Sequence, residues 1–484
     1  MSQIVSQPES AATELRPLCV DLDGTLVKSD TLEDSLLALA RRRPKLLLAL
    51  PGRLLQGKAA FKEFVTASIA LDVTHLPYNH KVLHYLEQQH RQGREIYLAT
   101  GANVELARRV ASHLGLFNGV FGSDGITNLT GNKKLDGLRA SLGRQDFDYI
   151  GNSLTDLPLL AHATQPMVAN PSLSLKIKMK SSGIRPALEF RDRRSPLRSL
   201  VGAIRPHQWA KNLLIFLPAL LAHSLKPGIL LKALLAFACF SLTASATYIA
   251  NDLLDVEADR YHAKKRRRPF ASGDLSPISG FALSIVFFLV AFAGTRALPS
   301  AFAAWLLLYA VGTLSYSSYL KRIPLVDVLI LSGLYTLRLL AGSAATGYPL
   351  SHWLSGFSVF LFFSLAIAKR FTELETLRAS GAVPRNGRGY VLADFEQLRT
   401  FGTSSAFAAV VIFVIYISGN EVTALYRKPT LLWLMMPLMI LWLCRVWLLA
   451  SRGKLNEDPV VFALTDAMSL LIGACVLAVV LLAI

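Results

Sequence analysis

The chain has 484 residues, 52% of them hydrophobic, a mean hydropathy of +0.40 and a formal net charge of +18. A chain both apolar and basic fits a membrane protein with Lys/Arg-rich loops on one side, and its long apolar runs exclude a soluble nucleic-acid binder despite the charge. The scattered cysteines (Cys19, Cys239, Cys444, Cys475), without metal-type pairing and mostly in apolar runs, read as packing residues and imply no disulfide framework.

The N-terminus, MSQIVSQPESAATELRP, is polar, lacks an apolar core and is not expected to be a signal peptide. Residues 1 to about 190 read as soluble. PLCVDLDGTLV is a short apolar strand running into acidic residues and Gly; REIYLATGAN and FDYIGNSLTD repeat the pattern, and helical segments such as VELARRVASHLGL intervene. Strands alternating with helices predict a parallel α/β sheet, whose ligands sit at the carboxyl ends of the strands, where the polar turns fall.

DLDGTL, directly after a strand, resembles the haloacid-dehalogenase-like phosphohydrolase superfamily over roughly residues 15–170. The resemblance implies a Rossmann-like α/β domain over residues 15–190, with Asp21 as the nucleophile that forms an aspartyl-phosphate and Asp23 as general acid/base. Thr100, in LATGAN, matches the residue that hydrogen-bonds the phosphoryl group. Lys134, in TGNKKLDGL, matches the cation that orients the nucleophile, with Lys133 as the other register. Asp156, in GNSLTD, is implied to lie near Mg²⁺ together with Asp21 and Asp23. Asn152 stands where the superfamily usually has an acid, and its amide oxygen would ligate Mg²⁺ with less charge. Residues 26–95 are long enough for a helical cap that selects the substrate.

The segment KIKMKSSGIRPALEFRDRRSPLRSL leads into a basic connector, residues 191–211, which either lies along an anionic membrane face or is a plain solvated linker. Beyond it, apolar segments near 209–225, 230–250, 278–297, 300–318, 325–346, 352–368, 401–419, 430–450 and 460–484 each approach the roughly 20 residues that cross a bilayer. An all-α bundle of nine spans is expected over residues 200–484. With the N-terminal domain taken as cytoplasmic, Arg260, Lys264 to Arg268, Lys321, Arg322, Lys369, Arg370, Arg378, Arg385, Arg388, Arg399, Arg452 and Lys454 fall in cytoplasmic loops. The opposite loops hold only Lys226, Arg296, Arg427 and Lys428. This positive-inside bias places the C-terminus outside.

The stretch YIANDLLDVEADRYHAKKRRRP ends an apolar run with charges of both signs. Asn251, Asp255 and Asp259 are spaced at four and would share one helix face, with Asp252 adjacent. Clustered carboxylates repel each other and need neutralising; Mg²⁺ takes oxygen ligands and commonly bridges carboxylates to phosphates, while HAKKRRRP supplies cations for phosphate oxygens. The alternative is a stop-transfer charge cluster with local ion pairs.

NDLLDVEAD resembles the NDxxDxxxD motif of the UbiA family of intramembrane prenyltransferases, over roughly residues 200–484. The resemblance implies that Asn251, Asp252, Asp255 and Asp259 hold Mg²⁺ on a donor diphosphate, and it hints at a trimer. Aromatic prenyltransferases of the family carry a second DxxxD-type motif after span six. Here the chain reads AKRFTELETLRASGAVPRNGRGY, with Lys369, Arg370, Glu373, Arg385, Arg388 and Tyr390. Such a basic loop is similar to the decaprenyl-phosphate phosphoribosyltransferase branch. So are RPHQWAKN (Arg205, Trp209, Lys211, Asn212), YSSYLKRIPLVDV (Tyr316, Lys321, Asp327) and LNEDPVVFALTD (Asp458, Asp466). That branch moves 5-phosphoribose from phosphoribosyl pyrophosphate to a polyprenyl phosphate at a bacterial inner membrane. Lys264 and Arg268 would grip the diphosphate, and intramembrane Arg338 would face a cavity. The fusion suggests that the phosphohydrolase half removes the 5-phosphate. Two alternatives stay open: prenylation of an aromatic acceptor from a polyprenyl diphosphate, and a transporter or lipid-binding scaffold with a regulatory soluble domain.

Overall fold

The structure is a computed structural model and describes residues 15–124, 126–143, 146–224, 226–380, 389–455 and 459–484. The chain divides into two compact units, Met1–Ala203 with Asp252–Ala282 and Ile204–Asn251 with Leu283–Ile484.

The first unit is built on a parallel sheet of β1 (Leu18–Val20), β2 (Ile96–Asn103), β3 (Gly119–Ser123), β4 (Asp148–Gly151), β5 (Pro166–Ala169) and β6 (Leu188–Phe190), in the order β3-β2-β1-β4-β5-β6. The central strands are nearly continuous apolar runs because helices cover both faces of such a sheet. Val20 pairs with both Leu98 and Ile150, and Asp21 N donates to Ile150 O at 3.0 Å. Strand order reverses beside β1, so a ligand crevice forms at the carboxyl edge between β1 and β4.

Between β1 and β2 the chain inserts α1 (Thr31–Arg42), α2 (Leu50–Leu55), α3 (Lys58–Ser68) and α4 (His80–Arg91). Asp30 caps α1 by accepting from Leu32 N and Glu33 N, and Asn79 caps α4 in the same way through Lys81 N and Val82 N. The helix α5 (Val104–Leu114) starts at the Asn103 cap and stops at Gly115 in the left-handed conformation. Leu39, Val82, Leu86, Leu98, Leu106 and Val110 form the core between insertion, sheet and α5. Arg94 and Asp148, both buried, pair at the start of β2 and β4.

The second unit is helical. Seven helices of the described residues are long and apolar enough to cross a membrane: Pro227–Leu254, which runs on into the first unit, Pro277–Ala297, Ser300–Ser318, Val326–Thr346, His352–Arg378, Leu392–Ile417 and Pro429–Ser451. Their outward residues, among them Leu289, Phe407, Val411 and Leu441, are exposed apolar side chains suited to lipid. Internally, Trp447 Nε1 donates to Ser364 Oγ (3.0 Å), whose hydroxyl donates to Gly402 O (2.7 Å), tying helices together through small and polar residues. Cys19 and Cys239 are buried, whereas Cys444 and Cys475 are exposed rather than packed.

Two expected spans take other forms. Where a span was expected over 209–225, the chain forms a 3₁₀ segment, Pro206–Phe216, followed by the short helix Leu217–Leu221. Pro206 and Pro218 each sit at the start of a helix, where a missing N–H is tolerated, and Pro218 cannot continue the preceding turn. Residues 460–484 break at Asp466, which caps Ala467–Ala483 by accepting from Ser469 N and also pairs with Arg445 at 2.6 Å. The helix Val326–Thr346 approaches the 3₁₀ segment so closely that a Cβ on Gly342 would collide with the backbone carbonyl of Ile215. Gly342→Ala is therefore expected to destabilise this unit by about 1–3 kcal/mol through overpacking, read as a lower unfolding midpoint in detergent micelles.

Candidate active sites

At the β1–β4 edge lies a pocket of about 340 Å³ lined by Asp21, Asp23, Thr100, Lys134 and Asn152. Asp21 directly follows β1. Lys134, from the helix α6 (Asn132–Ser141), donates to Asp21 Oδ1 (2.9 Å), Tyr149 OH (2.9 Å) and Asp156 Oδ1 (3.1 Å). Tyr149 OH also donates to Asp156 Oδ1 at 2.8 Å, while Asn152 N, Ser153 N and Ser153 Oγ hold Asp156 Oδ2 at 3.1, 3.1 and 3.0 Å. Asp23 Oδ1 accepts from Thr31 N at 2.8 Å, fixing it against α1. Thr100 is fully buried and its hydroxyl oxygen accepts from Ala102 N at 3.0 Å. Gly24 has φ +73°, and a Cβ there would strike the Asn152 amide, so the loop after β1 closes against Asn152 only with glycine.

The electrostatics separate the two aspartates. Burial pushes the Asp21 carboxyl up to about 7, with Lys134 pulling against it and Asp156 adding to the rise. Burial, then Asp30 and Asp21, raise the Asp23 carboxyl well above its ordinary value. Burial disfavours the charge of Lys134, but Asp21 and Asp156 outweigh it and keep the ammonium above its ordinary value. Burial likewise opposes the charge of Asp156, and Lys134 followed by Tyr149 holds its carboxyl below the ordinary range. An acid paired with a buried ammonium thus stands beside one that burial and neighbouring acids raise.

The acidic stretch is not one continuous helical face. Helix Pro227–Leu254 ends before Asp255, which stands at the N-cap of a new helix, Val256–Tyr261. Asp252 and Asp259 instead converge: Arg268 Nη1 donates to Asp252 Oδ1 at 3.0 Å and to Asp259 Oδ2 at 2.6 Å. Burial pushes the Asp259 carboxyl up, with Arg268 opposing. Asp255 Oδ1 lies 3.5 Å from Arg41 Nη1. Lys264, in the following loop, is exposed. Among the described residues no three His, Cys, Asp or Glu side chains form a ready-made metal cage. Mg²⁺, however, is usually held by one or two carboxylates plus substrate phosphates, and two carboxylates already sharing one cation fit that donor set. In the hydrolase pocket Asp21 and Asp23 offer carboxyl oxygens of that kind, whereas both oxygens of Asp156 already accept hydrogen bonds.

In the helical unit, Arg370, 2% exposed, donates to Asp327 Oδ2 (2.6 Å), Glu373 Oε1 (2.8 Å) and Tyr316 OH (3.2 Å), and Tyr390 OH donates to the other oxygen of Asp327. The expected phosphate-binding Arg370 is thus the centre of a neutralised buried network. Lys321 and Lys369 are half-buried on the adjoining segments. Arg338 is buried: its Nε donates to Asn212 Oδ1 at 2.9 Å, its Nη2 to Tyr309 OH at 3.2 Å, and its plane faces the Tyr309 and Tyr335 rings. Lys211 Nζ lies 5.6 Å from the Tyr335 ring centre, and Arg205 stacks over Tyr248. Trp209 Nε1 donates to Ser245 Oγ at 3.0 Å. Arg385, Arg388 and Asp458 lie outside the described residues.

Sequence reasoning missed Tyr149, a strand residue whose hydroxyl completes the Lys134–Asp156 contact, and the pocket cations Lys28, Lys62 and Arg193. It also missed the buried pair in which Arg260 Nη2 donates to both carboxylate oxygens of Asp34 at 2.9 Å. Lys62, whose ammonium donates to Gly101 O (2.7 Å) beside the Thr100 motif, and Tyr149, within FDYIGNSLTD, bear on features the sequence marked.

Comparison with known proteins adds the following. Residues 212–482 match the UbiA prenyltransferase family, and residues 18–161 match haloacid dehalogenase-like hydrolase. "Uncharacterized protein y4nM" of Sinorhizobium fredii is 36% identical over 95% of this chain and 89% of its own. "Nodulation protein NoeC" of Azorhizobium caulinodans is 34% identical over 57% of this chain and 90% of its own. "Decaprenyl-phosphate phosphoribosyltransferase" of Mycobacterium tuberculosis is 35% identical over 44% of this chain and 72% of its own.

Proposed function

The chain belongs to the UbiA prenyltransferase family, as a multi-pass membrane transferase fused to a haloacid dehalogenase-like domain, and from that premise we propose that it transfers 5-phosphoribose from phosphoribosyl pyrophosphate to a polyprenyl phosphate and then removes the 5-phosphate. The similarity to decaprenyl-phosphate phosphoribosyltransferase supports this reading. The observation that carries it is the convergence of Asp252 and Asp259 on one cationic nitrogen next to a run of basic residues.

Both families are generally Mg²⁺-dependent. Asp252 and Asp259, with Asn251 and Asp255 of the same motif, are the residues that would hold Mg²⁺, which supplies charge neutralisation to a departing diphosphate. In the transfer, the bond from ribose C1 to the diphosphate oxygen breaks, its electron pair leaving with pyrophosphate, and an oxygen of the lipid phosphate bonds to C1. That oxygen is already anionic, so no strong base is required. Arg268 and Lys264 are assigned to the diphosphate oxygens, which suit a guanidinium's paired donors. Arg205, Lys211, Lys321 and Lys369 are assigned to the remaining phosphates, where fixing them lowers the entropic barrier. Asn212, Tyr309 and Tyr335 orient Arg338, and Asp327, Glu373, Tyr316 and Tyr390 orient Arg370.

In the hydrolase half, Asp21 attacks the phosphorus of the 5-phosphate and Asp23 gives its proton to the departing ribose oxygen. Water then releases inorganic phosphate from the aspartyl-phosphate, returning a proton to Asp23. Lys134 pairs with and aims Asp21, Thr100 holds a phosphoryl oxygen, and Asp21 and Asp23 are the residues that would hold Mg²⁺ there, with Asp156 beside them. The product is polyprenyl-phosphoryl-ribose, and hydrolysis pulls the transfer forward. In this reading α1 to α4 serve as the cap. The bent segment Pro206–Leu221 and helix Ala467–Ala483 complete nine crossings of a bacterial inner membrane, with both sites cytoplasmic, the C-terminus outside and a trimer as the assembly.

Asp252→Asn is expected to lower pyrophosphate release by about 10²–10³-fold, the scale of losing one charge-stabilising group. Phosphate release from ribose 5-phosphate should be unchanged. Wild-type pyrophosphate release in that variant would remove the acid pair from the reaction.

A further inference from the structure

Beside the hydrolase pocket runs a larger groove of about 790 Å³, and Lys28 and Arg193 line both. Its wall is strongly basic: Lys81 from α4, Arg194, and Arg266 and Arg267 from the charged loop join those two residues. The acids in the wall are Asp192 and Asp274, and each has a cation, Lys28 and Arg194 respectively, both at 3.7 Å. Arg266 and Arg267 are exposed, and neither is in an ion pair with another described residue. Their loop is fixed in place, because the buried Arg260 pairs with Asp34 of α1 and donates through Nε to Ala271 O at 3.2 Å. Uncompensated guanidinium groups held beside a catalytic pocket attract a further anion.

We infer that pocket and groove form one bipartite site for a sugar phosphate bearing two separate phosphates: the monoester enters the Asp21 pocket, and a second, unhydrolysed phosphodiester is held in the groove through Arg266 and Arg267. This rests on the reading of the domain as a 5-phosphatase and names its substrate class. A ribose linked through C1 to a lipid phosphate and still carrying its 5-phosphate has that pair of groups. Free ribose 5-phosphate lacks the second.

The test uses the full-length protein in detergent micelles with Mg²⁺ and two soluble probes, ribose 5-phosphate and its 1-(methyl phosphate) diester. The diester is expected to be hydrolysed with a kcat/KM about tenfold higher or more, the scale of one charge-assisted contact. Arg266→Ala with Arg267→Ala, and separately Lys81→Ala, should erase that advantage and leave ribose 5-phosphate turnover as in wild type. Equal turnover of the two probes, or an equal loss for both in the variants, overturns the proposal while leaving the hydrolase reading intact. Calorimetric binding to Asp21→Asn separates the two claims. If neither probe is hydrolysed, tighter binding of the diester that the Arg266/Arg267 variant abolishes sustains the bipartite site and defeats only the hydrolase reading; equal or absent binding overturns the site.

Discussion

Asp327→Ala should destabilise the helical unit by about 3–5 kcal/mol, because it strands a buried guanidinium without its closest counter-charge. Arg370 is 2% exposed and Asp327 is fully buried, with Arg370 Nε 2.6 Å from Asp327 Oδ2. Glu373 is the remaining carboxylate partner, but its side chain is partly exposed and compensates less. Tyr390 and the backbone N–H of Leu325, which donates to Tyr390 OH at 2.9 Å, lose their anchor as well. The measurement is the thermal unfolding midpoint in detergent micelles. Replacing the pair together, Asp327→Leu with Arg370→Met, should recover much of the loss, because no isolated charge then remains buried. A single variant as stable as wild type would mean that the network contributes nothing to the fold.

Asp23→Asn is expected to slow release of the 5-phosphate by about 10²–10⁴-fold, the usual contribution of a positioned proton donor. Asp21→Asn should abolish it, since an amide does not form the phosphoenzyme. In both variants the transfer step should survive and the lipid product should retain its 5-phosphate, seen as a mass shift of the extracted lipid. The asymmetry comes from environment. Asp21 faces Lys134 at 2.9 Å, whereas Asp23 is held by a backbone N–H, and burial followed by Asp30 and Asp21 raises its carboxyl. A dephosphorylated lipid made by Asp21→Asn at the wild-type rate would separate this domain from the product.

What the sequence disclosed follows the range of its signals. Asp21, Thr100, Lys134 and Asp156 were legible because each sits in a short motif at a strand end or helix start, and the parallel sheet brings those ends to one edge. The pairing of Arg260 with Asp34 joins residues 226 apart, and that of Arg94 with Asp148 residues 54 apart; no local pattern announces either. Helical spacing predicted a single acidic stripe on a continuous helix, but the helix breaks at Asp255, Asp252 and Asp259 share Arg268, and Asp255 lies beside Arg41. Apolar content suggested spans at 209–225 and 460–484, yet hydropathy is blind to Pro206, Pro218 and the capping carboxylate of Asp466, which set the helix ends. Arg370 was found, but not its neutralisation, because Asp327 lies on another helix.

The most direct test of the transferase assignment supplies the purified protein with ribose-labelled phosphoribosyl pyrophosphate and polyprenyl phosphate, and in parallel with prenyl-labelled polyprenyl diphosphate and an aromatic acid. Ribose label should enter the organic-extractable lipid with matching pyrophosphate release, and only when Mg²⁺ and polyprenyl phosphate are both present. Prenyl label on the aromatic acid, with no ribose in the lipid, would contradict the account.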